Sequence, residues 1–278
     1  MAALNGPAAK IHPDNYRFLR EHIRLESGIV LDEDKHYLIE ARLLPVALDH
    51  GLTGLDDLCA RLRCKSEAKL LHSVVEAMTT NETYFFREPA HFDALKTVVL
   101  PPLIESRKAT RRLSVWSAAA SSGQEAYSLA MLLLEMGLQH WDVKILGTDL
   151  SSNMLKRAAA ASYSQLEVNR GLPASLLVKY FKQSGPTWEL KPQVTKLASF
   201  QPLDLRAGMR GLGPFDIVFC RNVLIYFDLE TKLGVAEQLR STLSPGGYLF
   251  LGASEVNLPV GSRFARQALP GATFYKAV

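Results

Sequence analysis

The run from Leu113 to Leu134, LSVWSAAASSGQEAYSLAMLLL, constrains the fold more than any other part of the chain. Leu113 to Ser117 is short, apolar and rich in β-branched and aromatic character, which predicts a buried strand. Residues with almost no side chain follow, from Ala118 to Gly123. Good helix formers with apolar residues at Tyr127, Leu129, Met131, Leu133 and Leu134 then predict a helix over Gln124 to Glu135. Strand, tight turn and helix make the ligand-binding corner of a doubly wound sheet.

Small residues at such a corner let a ligand approach backbone N–H groups. A phosphate site normally spells Gly-x-Gly-x-x-Gly and ends on the positive end of a helix. This turn holds only Gly123, and Glu125 stands where a phosphate would lie. A carboxylate there repels pyrophosphate and attracts an ammonium or a sulfonium. S-adenosyl-L-methionine carries both cations and no phosphate, so it suits the corner better than NAD or ATP. The competing reading is a packing turn with a solvated glutamate.

Length and composition set the frame. The 278 residues suit a main domain with a smaller companion, and 47% hydrophobic against 22% charged residues is ordinary for a globular chain. Cys59, Cys64 and Cys220 show no metal-ligand spacing, and the scattered histidines suggest no zinc or iron site. A reducing compartment follows, and with no signal-like start and no apolar run near the roughly 20 residues that cross a bilayer, a cytoplasmic protein without membrane insertion is expected. Residues 1–80 hold 10 Lys+Arg and 12 Asp+Glu, leaving 22 and 16 for residues 81–278, so the net +4 divides as −2 and +6. That excess is too scattered to argue for nucleic acid.

Along the chain, residues 1–78 read as a helical domain. Apolar residues at helical spacing run through Tyr16 to Leu25, Tyr37 to Leu48, Leu55 to Leu62 and Ala68 to Met78, with Pro45 expected to kink or shorten the second helix. Residues 79–90 (including TTNETYFFRE) break the period yet are too aromatic for a solvated linker, which predicts burial at the mouth of the corner. Ala90 to Ser106 reads as a helix interrupted by Pro101-Pro102. In the main domain, residues 91–278, a second strand should end at Asp149, where an acid accepts from ribose hydroxyls; its alternative is a helix cap shared with Ser151. Residues 162–203 read as a small β insertion with short antiparallel strands. FDIVFC (215–220) is a strand, Leu229 to Leu243 a helix, Pro245-Gly246-Gly247 a turn into a strand at Tyr248, and Ala272 to Ala277 a last edge strand.

Taken together, NETYFFRE, VWSAAASSGQEAYSLAM, GTDLS, FDIVFCRNVLIYFD and SPGGYLFLGASE resemble, in order and spacing, the chemoreceptor glutamate methyltransferases of bacterial chemotaxis, the CheR family. The resemblance runs from about residue 12 to the C-terminus. It implies an α/β fold: a Rossmann-like S-adenosylmethionine-dependent methyltransferase domain with a small β-subdomain insertion, preceded by an all-α N-terminal domain. It implies transfer of methyl to receptor glutamates, giving γ-methyl esters and S-adenosyl-L-homocysteine, with the cytoplasmic helical domain of transmembrane chemoreceptors as partner and a monomeric enzyme.

The resemblance carries the cofactor positions onto Asn81, Thr83, Arg87, Glu125, Asp149, Asp204 with Leu205, and Arg221 with Asn222. Asp204 departs from the asparagine usual in the family. Two departures touch substrate choice: the second helix keeps Arg42 but has Pro45, Ala47 and Leu48 where relatives carry arginines, and the loop KQSGPTWEL is shorter than in relatives that bind a receptor's C-terminal pentapeptide. Pentapeptide-independent binding is expected. A glutamate acceptor is ionised at neutral pH, so no general base is needed. Arg87 is expected to hold a carboxylate through its planar fork, Tyr226 to orient the acceptor, and Phe85, Phe86 and Phe227 to exclude water. A protein that binds the cofactor without turnover is the alternative.

Overall fold

The computed structural model describes residues 11–64, 67–257 and 263–278. The chain divides between Thr80 and Asn81 into two compact units. In the first, α1 (Pro13–Ser27) begins with proline at its first position and an acid, Asp14, in its first turn, and ends on Gly28 in the left-handed conformation, φ 76°. It is followed by α2 (His36–Asp49), α3 (Leu55–Arg63) and α4 (Ala68–Met78). Their inward stripes, Leu19 and Ile23, Ile39 and Leu43, Leu58, and Val74 and Met78, are almost wholly buried. α2 runs without interruption through Pro45. Arg42 is spent inside this unit: its Nη1 donates to the carbonyls of Met78 at 2.8 Å and Thr79 at 3.2 Å, satisfying acceptors that the end of α4 leaves open.

The second unit opens with α5 (Pro89–Ala94), a π-helical turn over Leu95–Val99, and α6 (Leu100–Arg107). The expected break at Pro101-Pro102 does not occur. Both prolines fall in the first turn after the widened segment, where their missing N–H groups leave no ladder bond broken.

A seven-stranded sheet follows, from β1 (Arg112–Ala118), α7 (Gln124–Glu135), β2 (Asp142–Asp149) and α8 (Ser152–Ala160). The chain then makes β3 (Ser162–Ser164), α9 (Gln165–Asn169), α10 (Ala174–Tyr180), β4 (Phe181–Ser184), β5 (Thr187–Leu190) and α11 (Pro192–Thr195) before rejoining the sheet as β6 (Ala198–Pro202). After β7 (Phe215–Cys220) come α12 (Leu229–Thr242), β8 (Leu243–Leu251), β9 (Phe264–Leu269) and β10 (Ala272–Ala277). The order is β6-β2-β1-β7-β8-β10-β9. The first five strands are parallel, and β10 and β9 are antiparallel additions. Parallel strands covered on both faces read as unbroken apolar runs, and β7 is buried at every position.

Sequence and structure differ at the insertion and in the last strands. The three-stranded sheet β3-β5-β4 is the expected antiparallel insertion, but it does not extend to residue 203. Ala198–Pro202 pairs in parallel with β2, with Ile145 opposite Ala198. Its alternation is that of an edge strand half-exposed to solvent, which the eye assigns equally well to a hairpin. Pro245-Gly246-Gly247 lies within β8, as an irregularity where the partner of β7 jumps from Leu243 to Tyr248. Ala272–Ala277 is an inner strand, covered by β9.

Candidate functional site

The C-terminal ends of β1, β2, β6 and β7 converge on one rim, where doubly wound folds place ligands. The loop after β1 is built tightly: Ala119, Ser121 and Gly123 all have positive φ, at 60°, 49° and 94°. Non-glycine residues in that region store strain and cluster at functional sites. Side-chain bonds hold the loop in place. Ser121 Oγ donates to the carbonyl of Asn81 at 2.9 Å, and Tyr163 Oη donates to the carbonyl of Ser122 at 2.8 Å. Gly123 is required by helix packing, since a Cβ there would stand 2.9 Å from that of Ala158.

Asp149 ends β2 as expected and is buried. Its carboxylate accepts from Ser121 N at 2.8 Å and Ser151 N at 2.9 Å. The N-cap of α8 is Ser151, whose Oγ accepts from Met154 N. Asp204 follows β6 and is chelated by Arg206, whose Nη2 lies 2.7 Å from Oδ2 and Nε 3.0 Å from Oδ1. Leu205 beside it is buried in the core.

Arg221, at the end of β7, is the hub. Its side chain is 1% exposed. Nη1 donates to Glu125 Oε2 at 2.9 Å; Nη2 donates to Glu88 Oε2 at 3.0 Å and to the carbonyl of Arg87 at 2.5 Å. Phe92 and Phe219 flank the guanidinium, each ring centre at 5.8 Å. Glu125, in the first turn of α7, also accepts from Ser117 Oγ at 2.7 Å. Glu88 caps α5 with φ 56° and additionally accepts from Asn222 Nδ2 at 3.1 Å and Ala253 N at 3.1 Å. The fully buried His91 places Nδ1 3.1 Å from Glu88 Oε2. Burial opposes the charge on Glu88, yet the His91 ring, the Arg221 charge and the Asn222 amide together hold its carboxyl well below the usual carboxylate range. Asn222, with φ 58°, is held from the other side by Glu255, which accepts from the N–H groups of Asn222, Val223, Ile225 and Gly252.

The structure therefore joins Arg87, Glu125, Arg221 and Asn222 in one network, and links Asn81 to Asp149 through Ser121. Thr83 and Tyr226 are half-buried on the loops that carry these groups, with no side-chain hydrogen bond to them. Arg87 Nη1 donates to the carbonyl of Glu82 at 2.7 Å and lies against the Tyr84 ring. Phe85 has a different place from the one expected: it is wholly buried edge-on to Tyr163 and Phe181, anchoring the insertion rather than shielding the rim. Glu88, His91, Ser117, Ser121 and Glu255 were assigned no role from the sequence; all but His91 stand inside the motifs that carry the resemblance, and that is the only signal they gave.

Residues 14–79 match the family described as CheR methyltransferase, all-alpha domain, and residues 81–267 match CheR methyltransferase, SAM binding domain. The chain belongs to the CheR methyltransferase family. Chemotaxis protein methyltransferase 1 of Pseudomonas aeruginosa is 43% identical over 253 residues, covering 88% of this chain and 92% of that protein. Chemotaxis protein methyltransferase Cher2 of Pseudomonas putida is 40% identical over 247 residues, covering 87% and 90%. The chemotaxis protein methyltransferase of Vibrio parahaemolyticus is 40% identical over 254 residues, covering 89% and 91%.

This CheR chain is thus a methyltransferase that uses S-adenosyl-L-methionine, and its donor set fits that cofactor. Carboxylates, not a cradle of N–H groups, line the strand ends, and Ser121 N is already directed at Asp149.

Proposed function

We propose that this chain is a protein-glutamate O-methyltransferase that esterifies glutamates on the cytoplasmic helical domain of transmembrane chemoreceptors during adaptation. The reading is carried by the placement of Arg87 beside the acid-lined rim, its backbone pinned by the same Arg221 that holds Glu125. Asp149 is assigned to the ribose hydroxyls, Glu125 to the methionine ammonium, and Asp204 with Leu205 to adenine. Asn81, Thr83, Arg221 and Asn222 complete the cofactor set. When bound, S-adenosyl-L-methionine supplies a methyl group on a sulfonium, open to in-line attack by an anionic oxygen.

The chain's own residues then have to hold and desolvate the acceptor. A glutamate with a reference pKa of about 4.3 arrives ionised, so no base is assigned. Among the described residues, Arg87 donates a hydrogen bond through Nη1 alone, with its guanidinium against the Tyr84 ring, which leaves the rest of its fork for a carboxylate. Tyr226, in a 3₁₀ turn over Leu224–Tyr226, has a hydroxyl with no protein partner among the described residues and donates to the second acceptor oxygen. Phe86 and Phe227 limit water around the pair.

The enzyme acts as a cytoplasmic monomer and requires no receptor C-terminal pentapeptide. No helix among the described residues is long and apolar enough to cross a membrane. Gly185-Pro186 alone joins β4 to β5, with Ser184 opposite Thr187, and this minimal turn supports pentapeptide independence. The deciding experiment incubates the enzyme with methyl-labelled cofactor and receptor membranes, with and without receptor C-terminal tails. Base-labile label on both receptors supports the reading. Tight cofactor binding with no transfer to any receptor would replace it with a cofactor-sensing module.

A further inference from the structure

Arg221 and Glu125 present a problem if Glu125 is the ammonium site. A buried arginine 2.9 Å from the carboxylate neutralises it, and a neutral pair has little attraction for a cation. Glu88 removes the difficulty. It reaches the other terminal nitrogen of Arg221 at 3.0 Å, so one guanidinium is shared by two carboxylates and the cluster sums to one negative charge. The three side chains are 1%, 22% and 14% exposed for Arg221, Glu88 and Glu125, so solvent does little to screen that charge.

We infer that Glu88 is a positioning residue that takes up the charge of Arg221, so that Glu125 stays available to a cationic group. This rests on the assignment of Glu125 to the ammonium and adds the reason the assignment works. Glu88 is suited to the task because its geometry is over-determined. Arg221 and the N–H of Ala253 donate to its Oε2, against which His91 also stands, and Asn222 donates to Oε1. The carboxylate is held below its usual range by those partners, so it remains charged throughout the neutral region. Its left-handed backbone, φ 56°, is strained for a glutamate, consistent with a conformation fixed by what the side chain must reach.

The test measures binding of two ligands by calorimetry: S-adenosylhomocysteine, and the analogue of it that lacks the amino group. Wild-type enzyme should prefer the amino-bearing ligand by tenfold or more. Glu88→Gln, which keeps size and loses charge, should reduce that preference by about tenfold while leaving affinity for the analogue within about threefold. A purely structural loss would weaken both ligands alike and leave the preference intact, which overturns the inference. Should the glutamine variant fail to fold, Glu88→Asp carries the test: its shortened reach should lower the preference two- to threefold, and an unchanged preference overturns the inference. A wild-type enzyme that shows no preference for the amino group rejects the assignment of Glu125 itself, a distinct failure.

Discussion

The two ends of the parallel strands each set an arginine against carboxylates, and they are built to opposite effect. At the N-terminal end, Asp216 in β7 has a side chain 8% exposed, accepting from Arg107 Nη2 at 2.7 Å and Ser114 N at 3.0 Å. One cation meets one anion, and the pair closes on itself. It borders a cavity of about 410 Å³ where Arg112 and Lys144 in turn lie within 4 Å of Asp142. At the C-terminal end, Arg221 is shared by two carboxylates and the backbone around it is strained. The first arrangement satisfies charge; the second retains it. An ion pair closed on itself therefore does not mark a site, whereas a shielded cluster with charge left over points to one.

The comparison can be broken most sharply at Arg87. Arg87→Ala should lower kcat by at least about 100-fold with an unchanged melting transition, because it removes the fork proposed to hold the acceptor; normal turnover by the folded variant takes Arg87 out of the mechanism. Next in size, Asp149→Ala should weaken S-adenosylhomocysteine binding by about 10- to 30-fold in calorimetry through loss of a charge-assisted contact, and unchanged affinity refutes the ribose role. At the opposite end, Arg107→Ala should cost about 2 kcal/mol in denaturant unfolding, since it leaves Asp216 buried with a backbone partner alone, while cofactor affinity holds steady. An affinity change there would erase the distinction between the ends. The smallest effect is expected at Asp204→Asn: Arg206 already neutralises the aspartate, so affinity should shift by less than about threefold.

How much of this was legible follows from how local each signal is. α7 begins and ends where helix formers begin and end, and β7 coincides with its apolar run, because both are fixed by sequence neighbours. β9 and β6 were missed or misplaced since their pairing, not their composition, makes them strands. The motif NETYFFRE was readable as a buried segment, but nothing in it distinguishes Glu88 from Glu82. One meets Arg221, 133 positions away, and is half-buried; the other pairs with Arg170 at the surface, 2.5 Å apart. Asp204 likewise gave no hint that Arg206, two residues on, would claim it.

Gly171 carries the last consequence. It has φ 81°, and a Cβ there would lie 2.1 Å from the carbonyl oxygen of Phe85, in the segment that carries Arg87. Beside it, Arg170 stacks on Tyr84 at 4.3 Å. The inserted module is therefore seated directly on the strip of chain that carries Arg87. Any variant with a larger residue at 171 has to lift that strip, so a change made in the insertion would be felt at Arg87.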